Sequence, residues 1–303
     1  MFEKIISKRF PQFKSEFANV NNIKFHYVKA GSEEGKLIIF LHGFPQFWYM
    51  WRAQLLNFSK DYLAVAPDMR GYNLSSKPKE IDQYHTFYMV EDLRNLVEDH
   101  FGRKKFILVG HDWGGVVAYP FVNKYPNLVE KLIIINAPHP NVFAKLLAKN
   151  KDQQRSSQYV LTFRSNRAEE SLSANNYSNL LNIIKTKNMD FTEEDEAMYI
   201  DAWSQPGALT GGLNYYRATT ITPPAHREKT NQPISEQQLT KKTLINVPTL
   251  VIWAEKDTAL TIHNLEGLDE YIPDLTIKRI PEGSHWVINE QPERINTLIR
   301  NFI

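Results

Sequence analysis

Short unbroken apolar runs recur along the first half of the chain, each followed by a segment long enough for a helix. The runs are Leu37 to Leu41, Leu63 to Ala66, Phe106 to Val109 and Leu132 to Ile135. Runs of this length without alternation predict strands buried on both faces. Between them, Trp48 to Phe58 reads as helical, and in Tyr84 to Phe101 the positions Phe87, Val90, Leu93, Leu96 and Val97 keep a helical period. Ahead of the first run, residues 12 to 30 read as a hairpin. Phe13 to Phe17 forms one arm, Asn19-Val20-Asn21-Asn22 the turn, and the alternating Ile23 to Val28 the other. Strand and helix in strict alternation predict an α/β fold: a mostly parallel, twisted sheet flanked by helices.

The alternation then stops. The next strand-like run, Leu250 to Trp253, comes more than a hundred residues after Ile135. The intervening chain reads as helices, one opening at Thr192-Glu193-Glu194-Asp195 in the manner of a capping box and ending at Gln205-Pro206-Gly207. Residues 140–225 are therefore expected to form a helical cap inserted into a core made of 1–139 and 226–303. Pro223 to Asn246, polar and rich in Thr, Lys and Gln, reads as a long return loop. Leu275 to Ile280 alternates as an edge strand does, Pro292 to Ile303 reads as a closing helix, and Pro120 is expected to kink the helix after Phe106 to Val109.

Composition narrows the function classes. With 36 Lys+Arg against 34 Asp+Glu, charge gives no reason to expect a nucleic-acid partner. Cysteine is absent, which excludes disulfides, thiolate chemistry and Cys-based metal sites and fits a reducing compartment. The first ten residues are interrupted by charge and lead to Pro11, so no signal peptide is expected. No stretch is apolar enough for a membrane span. A cytoplasmic location is the default expectation.

The stretch Gly110-His111-Asp112-Trp113-Gly114-Gly115 carries the chemistry. It joins a buried strand to a helical pattern, Val116 to Tyr119, with the Gly-x-residue-x-Gly spacing of a nucleophile elbow. The competing reading of Asp112 is a helix cap. Where serine hydrolases carry a hydroxyl, this elbow carries a carboxylate, already ionised at neutral pH. A carboxylate suits displacement at a saturated carbon bearing a leaving oxygen or halide, through an ester intermediate. Hydrolysing that ester calls for a base, a group to orient it, and oxyanion donors. His285, in Glu282-Gly283-Ser284-His285-Trp286 after the last strand, has the chain position expected of the base. Asp257, after Leu250 to Trp253, is the orienting acid, with Glu255 a nearby competitor. Asn136, at the other strand end where an acid could stand, cannot serve as one. The oxyanion donors are expected to be the backbone N–H groups of Trp113 and of Phe44 in His42-Gly43-Phe44-Pro45.

Together these motifs resemble the epoxide hydrolase branch of the α/β-hydrolase superfamily. The resemblance extends through Trp48-Tyr49, Trp51-Arg52, Pro67-Asp68-Met69-Arg70-Gly71-Tyr72, Asn136-Ala137-Pro138-His139-Pro140 and Glu255-Lys256-Asp257, and covers nearly the whole chain. It implies a cis Phe44–Pro45 bond and two cap tyrosines over the nucleophile. Tyr216, in Leu213-Asn214-Tyr215-Tyr216-Arg217, matches one, and Tyr159 is the nearest match to the other. Two phenols can donate hydrogen bonds to a developing alkoxide while staying protonated. The chain departs from the family pattern at Asn73, where glycine is frequent, and at Gln46, where an acid is common. The implied reaction converts a small apolar epoxide to a vicinal diol without metal or organic cofactor. A dehalogenase acting on a halide-bearing substrate through the same Asp112 is the alternative, with Trp113 offering an indole N–H to halide. A non-catalytic small-molecule receptor is a more remote one.

Overall fold

A computed structural model of the chain describes residues 2–220, 222–224 and 242–303. Most of the return loop expected at Pro223 to Asn246, and the expected cap boundary at 225, lie outside the described residues. Among the described residues, eight strands form one sheet: β1 (Lys14–Val20), β2 (Ile23–Ala30), β3 (Lys36–Leu41), β4 (Tyr62–Pro67), β5 (Phe106–His111), β6 (Val129–Ile135), β7 (Thr249–Ala254) and β8 (Leu275–Ile280). Their spatial order is β1-β2-β4-β3-β5-β6-β7-β8. From β4 to β8 every neighbouring pair is parallel, while β2 runs antiparallel to both β1 and β4.

The apolar runs do what their pattern requires. Leu37 to Leu41, Leu63 to Ala66, Leu132 to Ile135 and Leu250 to Trp253 are all buried, because helices cover both faces of the inner strands. β8, at the sheet edge, is largely open to solvent. The β1–β2 turn is tighter than the sequence suggests. Asn19 and Val20 pair with β2, leaving Asn21 and Asn22 as the two central residues, with φ of 50° and 61°. Positive φ at both positions is the demand of a type I′ hairpin turn, and Asn meets it at low cost.

Two expected helices are each divided. Trp48 to Phe58 becomes a 3₁₀ turn, Trp48–Trp51, followed by a helix, Arg52–Phe58. Tyr84 to Phe101 becomes Thr86–Asn95 followed by a π turn at Leu96–His100. The helix after β5, Trp113–Lys124, runs on through Pro120. An N-terminal helix, α1 (Phe2–Arg9), was not legible in the sequence pattern.

Among the described residues, six helical segments lie between β6 and β7 in the chain, the longest of them interrupted by non-helical backbone at Ala174, Asn175, Asn176 and Tyr177. α1 and the core helices α2 (Arg52–Phe58), α3 (Thr86–Asn95) and α4 (Trp113–Lys124) precede them. They are α5 (Pro140–Lys149), α6 (Lys151–Ser156), α7 (Tyr159–Arg164), α8 (Ala168–Ile184), α9 (Glu193–Ser204) and α10 (Ala208–Ala218). α9 starts with the expected capping box, in which Thr192 Oγ1 accepts from Asp195 N–H at 3.1 Å and Asp195 Oδ2 accepts from Thr192 N–H at 2.9 Å. The same buried Asp195 accepts from the Tyr49 hydroxyl at 2.6 Å and Arg9 at 3.1 Å, which fixes α9 to the core. Trp203 Nε1, near the end of α9, donates to the Pro45 carbonyl at 2.7 Å. Among the described residues no helix is long and apolar enough to cross a membrane.

The direction in which successive strands are added across the sheet reverses at β3 and β5: one connection leads from β3 outward to β4, the next returns across to β5. In open α/β sheets the crevice at such a point, at the carboxyl ends of the strands, is where ligands bind. Beside it the buried Arg70 side chain, following β4, meets Asp92 of α3 in a two-pronged pair, Nε to Oδ2 at 2.6 Å and Nη2 to Oδ1 at 2.7 Å. Removing one partner strands the other charge away from water. Asp92→Ala is therefore expected to destabilise the fold by about 3–5 kcal/mol, read as a lower urea midpoint with an unchanged m-value.

Candidate active site

Asp112 stands at the end of β5 with φ 50° and ψ −123°, a conformation disfavoured for a residue with a side chain. The elbow is held there by close approach of backbone. A Cβ on Gly114 would lie 2.2 Å from the Leu41 carbonyl oxygen, so only glycine lets α4 start hard against the end of β3. A Cβ on Gly43 would lie 2.0 Å from Asp112 Oδ1, so a side chain there would fill the space the carboxylate occupies.

Phe44 follows β3 and forms a cis peptide bond with Pro45, as the family resemblance implies. Its N–H donates to Asp112 Oδ1 at 2.9 Å. Trp113 supplies a second backbone hydrogen bond to the same carboxylate. His42 keeps this turn in place: its Nε2 accepts from Met69 N–H at 3.0 Å, and its Nδ1 faces the Gly43 carbonyl at 3.0 Å. Burial pulls its pKa down to about 4, against the charge of Asp68, so the ring stays neutral and can accept through one nitrogen while donating through the other.

His285 and Asp257 arrive from the ends of β8 and β7. His285 Nδ1 lies 2.6 Å from Asp257 Oδ2, and His285 Nε2 lies 3.8 Å from Asp112 Oδ2. Asp257 is itself held: Oδ1 accepts from the N–H groups of Ala259 at 2.8 Å and Leu260 at 2.9 Å. Glu255, the competing acid, instead pairs with Arg279 at 2.6 Å on the surface side. Burial lowers the His285 pKa, but the charge and hydrogen bond of Asp257, with the charge of Asp112, outweigh it and lift the value to about 9. Burial raises the Asp112 pKa, while His285 and the Trp113 and Phe44 N–H groups work against that rise.

A cavity of about 350 Å³ opens over these groups, walled by Phe44, Tyr159, Phe163, Tyr216 and Trp286 together with Asp112 and His285. A smaller one of about 80 Å³ adjoins it, sharing Asp112, Tyr159 and Tyr216 and otherwise lined by apolar residues such as Val116, Phe143 and Leu260. Tyr159 on α7 and Tyr216 on α10 face each other with ring centroids 6.1 Å apart. Tyr216 meets the Phe44 ring edge-on at 5.5 Å and the Trp113 ring at 5.2 Å. Burial, and then the charge of Asp112, push both phenols well above their ordinary pKa, so both remain protonated. The seven residues singled out from the sequence (Asp112, His285, Asp257, Tyr159, Tyr216, Phe44 and Trp113) thus converge on one place.

Other residues there went unread. Asn136, set aside as unable to act as an acid, donates from Nδ2 to Asp257 Oδ2 at 2.8 Å and to the Ala254 carbonyl at 3.1 Å. Its Oδ1 accepts from Ala254 N–H at 2.9 Å. The available signal was its place at the end of the strand beside β7. His111 donates from Nε2 to the His285 carbonyl at 2.9 Å, with the two rings 4.6 Å apart. Both departures from the family pattern are accommodated. Asn73 takes a φ of 39° and donates to Asp68 at 2.8 Å, and Gln46 accepts from the Tyr199 hydroxyl.

Residues 36–292 match the family model described as the alpha/beta hydrolase fold. The chain is 34% identical to Epoxide hydrolase 1 of Caenorhabditis elegans, over 95% of this chain and 70% of that protein. It is 35% identical to Epoxide hydrolase 4 of Mus musculus, over 93% of this chain and 77% of that one. Among solved structures, a mutant epoxide hydrolase from Bacillus megaterium complexed with its product, (R)-3-[1]naphthyloxy-propane-1,2-diol, superposes with a TM-score of 0.86 at 34% identity, covering 95% of this chain and 99% of that one. The chain is a hydrolase, and it belongs to the epoxide hydrolase branch of the α/β-hydrolase superfamily.

Proposed function

We propose that the protein hydrolyses a small apolar epoxide to a vicinal diol through a covalent ester on Asp112. The observation that carries the reading is the division of labour within one carboxylate. Oδ1 accepts from Phe44 N–H at 2.9 Å, while Oδ2 is turned toward His285 and the cavity. Oδ2 attacks an epoxide carbon and the carbon–oxygen bond breaks. The departing oxygen is received by the hydroxyls of Tyr159 and Tyr216, which donate hydrogen bonds; one of them gives up its proton to that oxygen and regains one, through water, from the proton that the His285 ring sheds once the ester has formed. Oδ1 becomes the ester carbonyl oxygen, already among the donors that will stabilise it as an oxyanion. His285, oriented by Asp257, takes a proton from water, and the hydroxide adds to the Asp112 carbonyl carbon. Collapse of the adduct releases the diol and restores the carboxylate. In this reading residues 140–225 form a lid over a core of 1–139 and 226–303, and bring the two phenols to the nucleophile.

Charge gives the two steps their order. With its pKa lifted to about 9, the His285 ring is predominantly protonated at pH 7 in the free enzyme. Forming the ester removes the Asp112 charge, which is one of the groups raising that pKa. The His285 pKa then falls, and the ring becomes a competent base only once there is an ester to hydrolyse.

The dehalogenase alternative needs the Trp113 indole for halide. That ring packs edge-on against the Tyr216 ring, the phenol assigned here to the epoxide oxygen, with centroids 5.2 Å apart. The naphthyloxy diol held by the Bacillus megaterium relative makes aryl-ether epoxides sensible first substrates.

His285→Gln is expected to stop turnover and leave an adduct of substrate mass on the Asp112 peptide, read by mass spectrometry; an unmodified peptide after prolonged incubation refutes the ester. Asp112→Asn mimics the loss of charge on esterification, and NMR titration of His285 is expected to give a pKa below the value of about 9 in the unsubstituted enzyme. An unchanged pKa would remove the charge argument. Tyr216→Phe is expected to lower kcat for epoxide opening by roughly a hundredfold or more, the scale of losing one preorganised donor. Halide release from a haloalkane should show no such loss, and loss of both activities together would count against the assigned role.

A further inference from the structure

Gln153 on α6 is fully buried behind the cavity wall and takes no part in the steps above. Its side chain makes five hydrogen bonds in two directions. Oε1 accepts from the N–H and hydroxyl of Thr261, both at 2.9 Å, and from Asn264 Nδ2 at 2.8 Å. Nε2 donates to the Ala259 carbonyl at 2.9 Å and to the Ser157 hydroxyl at 2.9 Å. Four of these bonds go to the segment 259–264, whose first two N–H groups hold Asp257 Oδ1. The fifth goes to Ser157, whose carbonyl accepts from Val160 N–H at 3.1 Å at the head of the helix bearing Tyr159.

Only a carboxamide of this length supplies an acceptor for one set of partners and two donors for the other. We infer that Gln153 is a positioning residue that ties the helix carrying Tyr159 to the loop carrying Asp257, so that ring opening and ester hydrolysis share one support. The inference rests on the roles proposed above for Tyr159, Asp257 and His285. A residue that merely filled a buried gap would set the stability of the protein. A residue that couples the two groups also sets the rate constant of each step. Misplacement of a reacting group by an ångström or less is enough to cost an order of magnitude.

The test follows formation and decay of the alkyl-enzyme by rapid quench in single turnovers of a styrene-oxide-type epoxide, in the full-length enzyme. Gln153→Met keeps the length and removes the hydrogen bonds. It is expected to slow both steps by roughly tenfold and to lower the His285 pKa from its value in the unsubstituted enzyme, as Asp257 loosens. Ser157→Ala cuts only the arm toward Tyr159 and is expected to slow formation alone. Asn264→Ala cuts into the other arm and is expected to slow decay alone. A fall in melting temperature with both rate constants and the His285 titration unchanged overturns the inference. Should Gln153→Met not fold, the two milder variants decide: the split between formation and decay supports the coupling, and two unsubstituted-like time courses overturn it. If the unsubstituted enzyme forms no alkyl-enzyme, the ester mechanism fails, and the His285 titration in Gln153→Met still decides the arm to Asp257.

Discussion

A single imidazole between two carboxylates is the interaction on which the site turns. His285 sits 2.6 Å from Asp257 and 3.8 Å from Asp112, in surroundings that disfavour every isolated charge. Burial acts on His285 and Asp112 toward neutrality, and the attraction between their opposite charges opposes it. The His285 cation steadies Asp112 as a carboxylate, while Asp257 and Asp112 together keep the ring protonated. The arrangement is matched to a reaction that consumes one of the two negative charges and later returns it.

Most of what holds these groups is main chain. The N–H groups of Phe44 and Trp113 serve Asp112, and those of Ala259 and Leu260 serve Asp257. All four lie just beyond the carboxyl ends of strands whose register is fixed by pairing across the sheet. Donors anchored this way need not reorganise when charge develops, which is the physical advantage of building the site at the strand ends. The unfavourable backbone of Asp112 belongs to the same economy of position. Its φ of 50° is tolerated because β3, β5 and α4 pack too closely to let the turn relax.

The inserted helices complete the site through a small number of side-chain ties. α9 is fixed to the core through Asp195 and Trp203, the latter bonded directly to the carbonyl of Pro45 in the oxyanion turn. α6 is fixed to the loop after β7 through Gln153. α6 and α9 directly precede α7 and α10, the helices that carry Tyr159 and Tyr216, so their attachment beside the catalytic loops restricts how far either phenol can drift from Asp112.

Much of this was legible in the order of residues. Uninterrupted apolar runs gave the inner strands because burial on both faces leaves no polar alternation, and the gap from Ile135 to Leu250 gave away the inserted helices. The glycine spacing around Asp112 announced a turn, and the carboxylate there selected the chemistry, since both are local properties of a few consecutive residues. The pattern could not give α1, whose Arg9 finds Tyr49 and Asp195 far along the chain, nor where the helices of residues 48–58 and 84–101 would tighten or widen. It could not tell Asn136 from any other strand-end amide, or Gln153 from any other polar residue of a helix. Among 14 tyrosines, Tyr159 and Tyr216 were reached only through resemblance. Local spacing fixes backbone turns and hydrophobic faces because neighbouring residues interact whatever the fold. Hydrogen bonds such as Asn136 to Asp257 join residues more than a hundred positions apart, so only the packed structure could decide them.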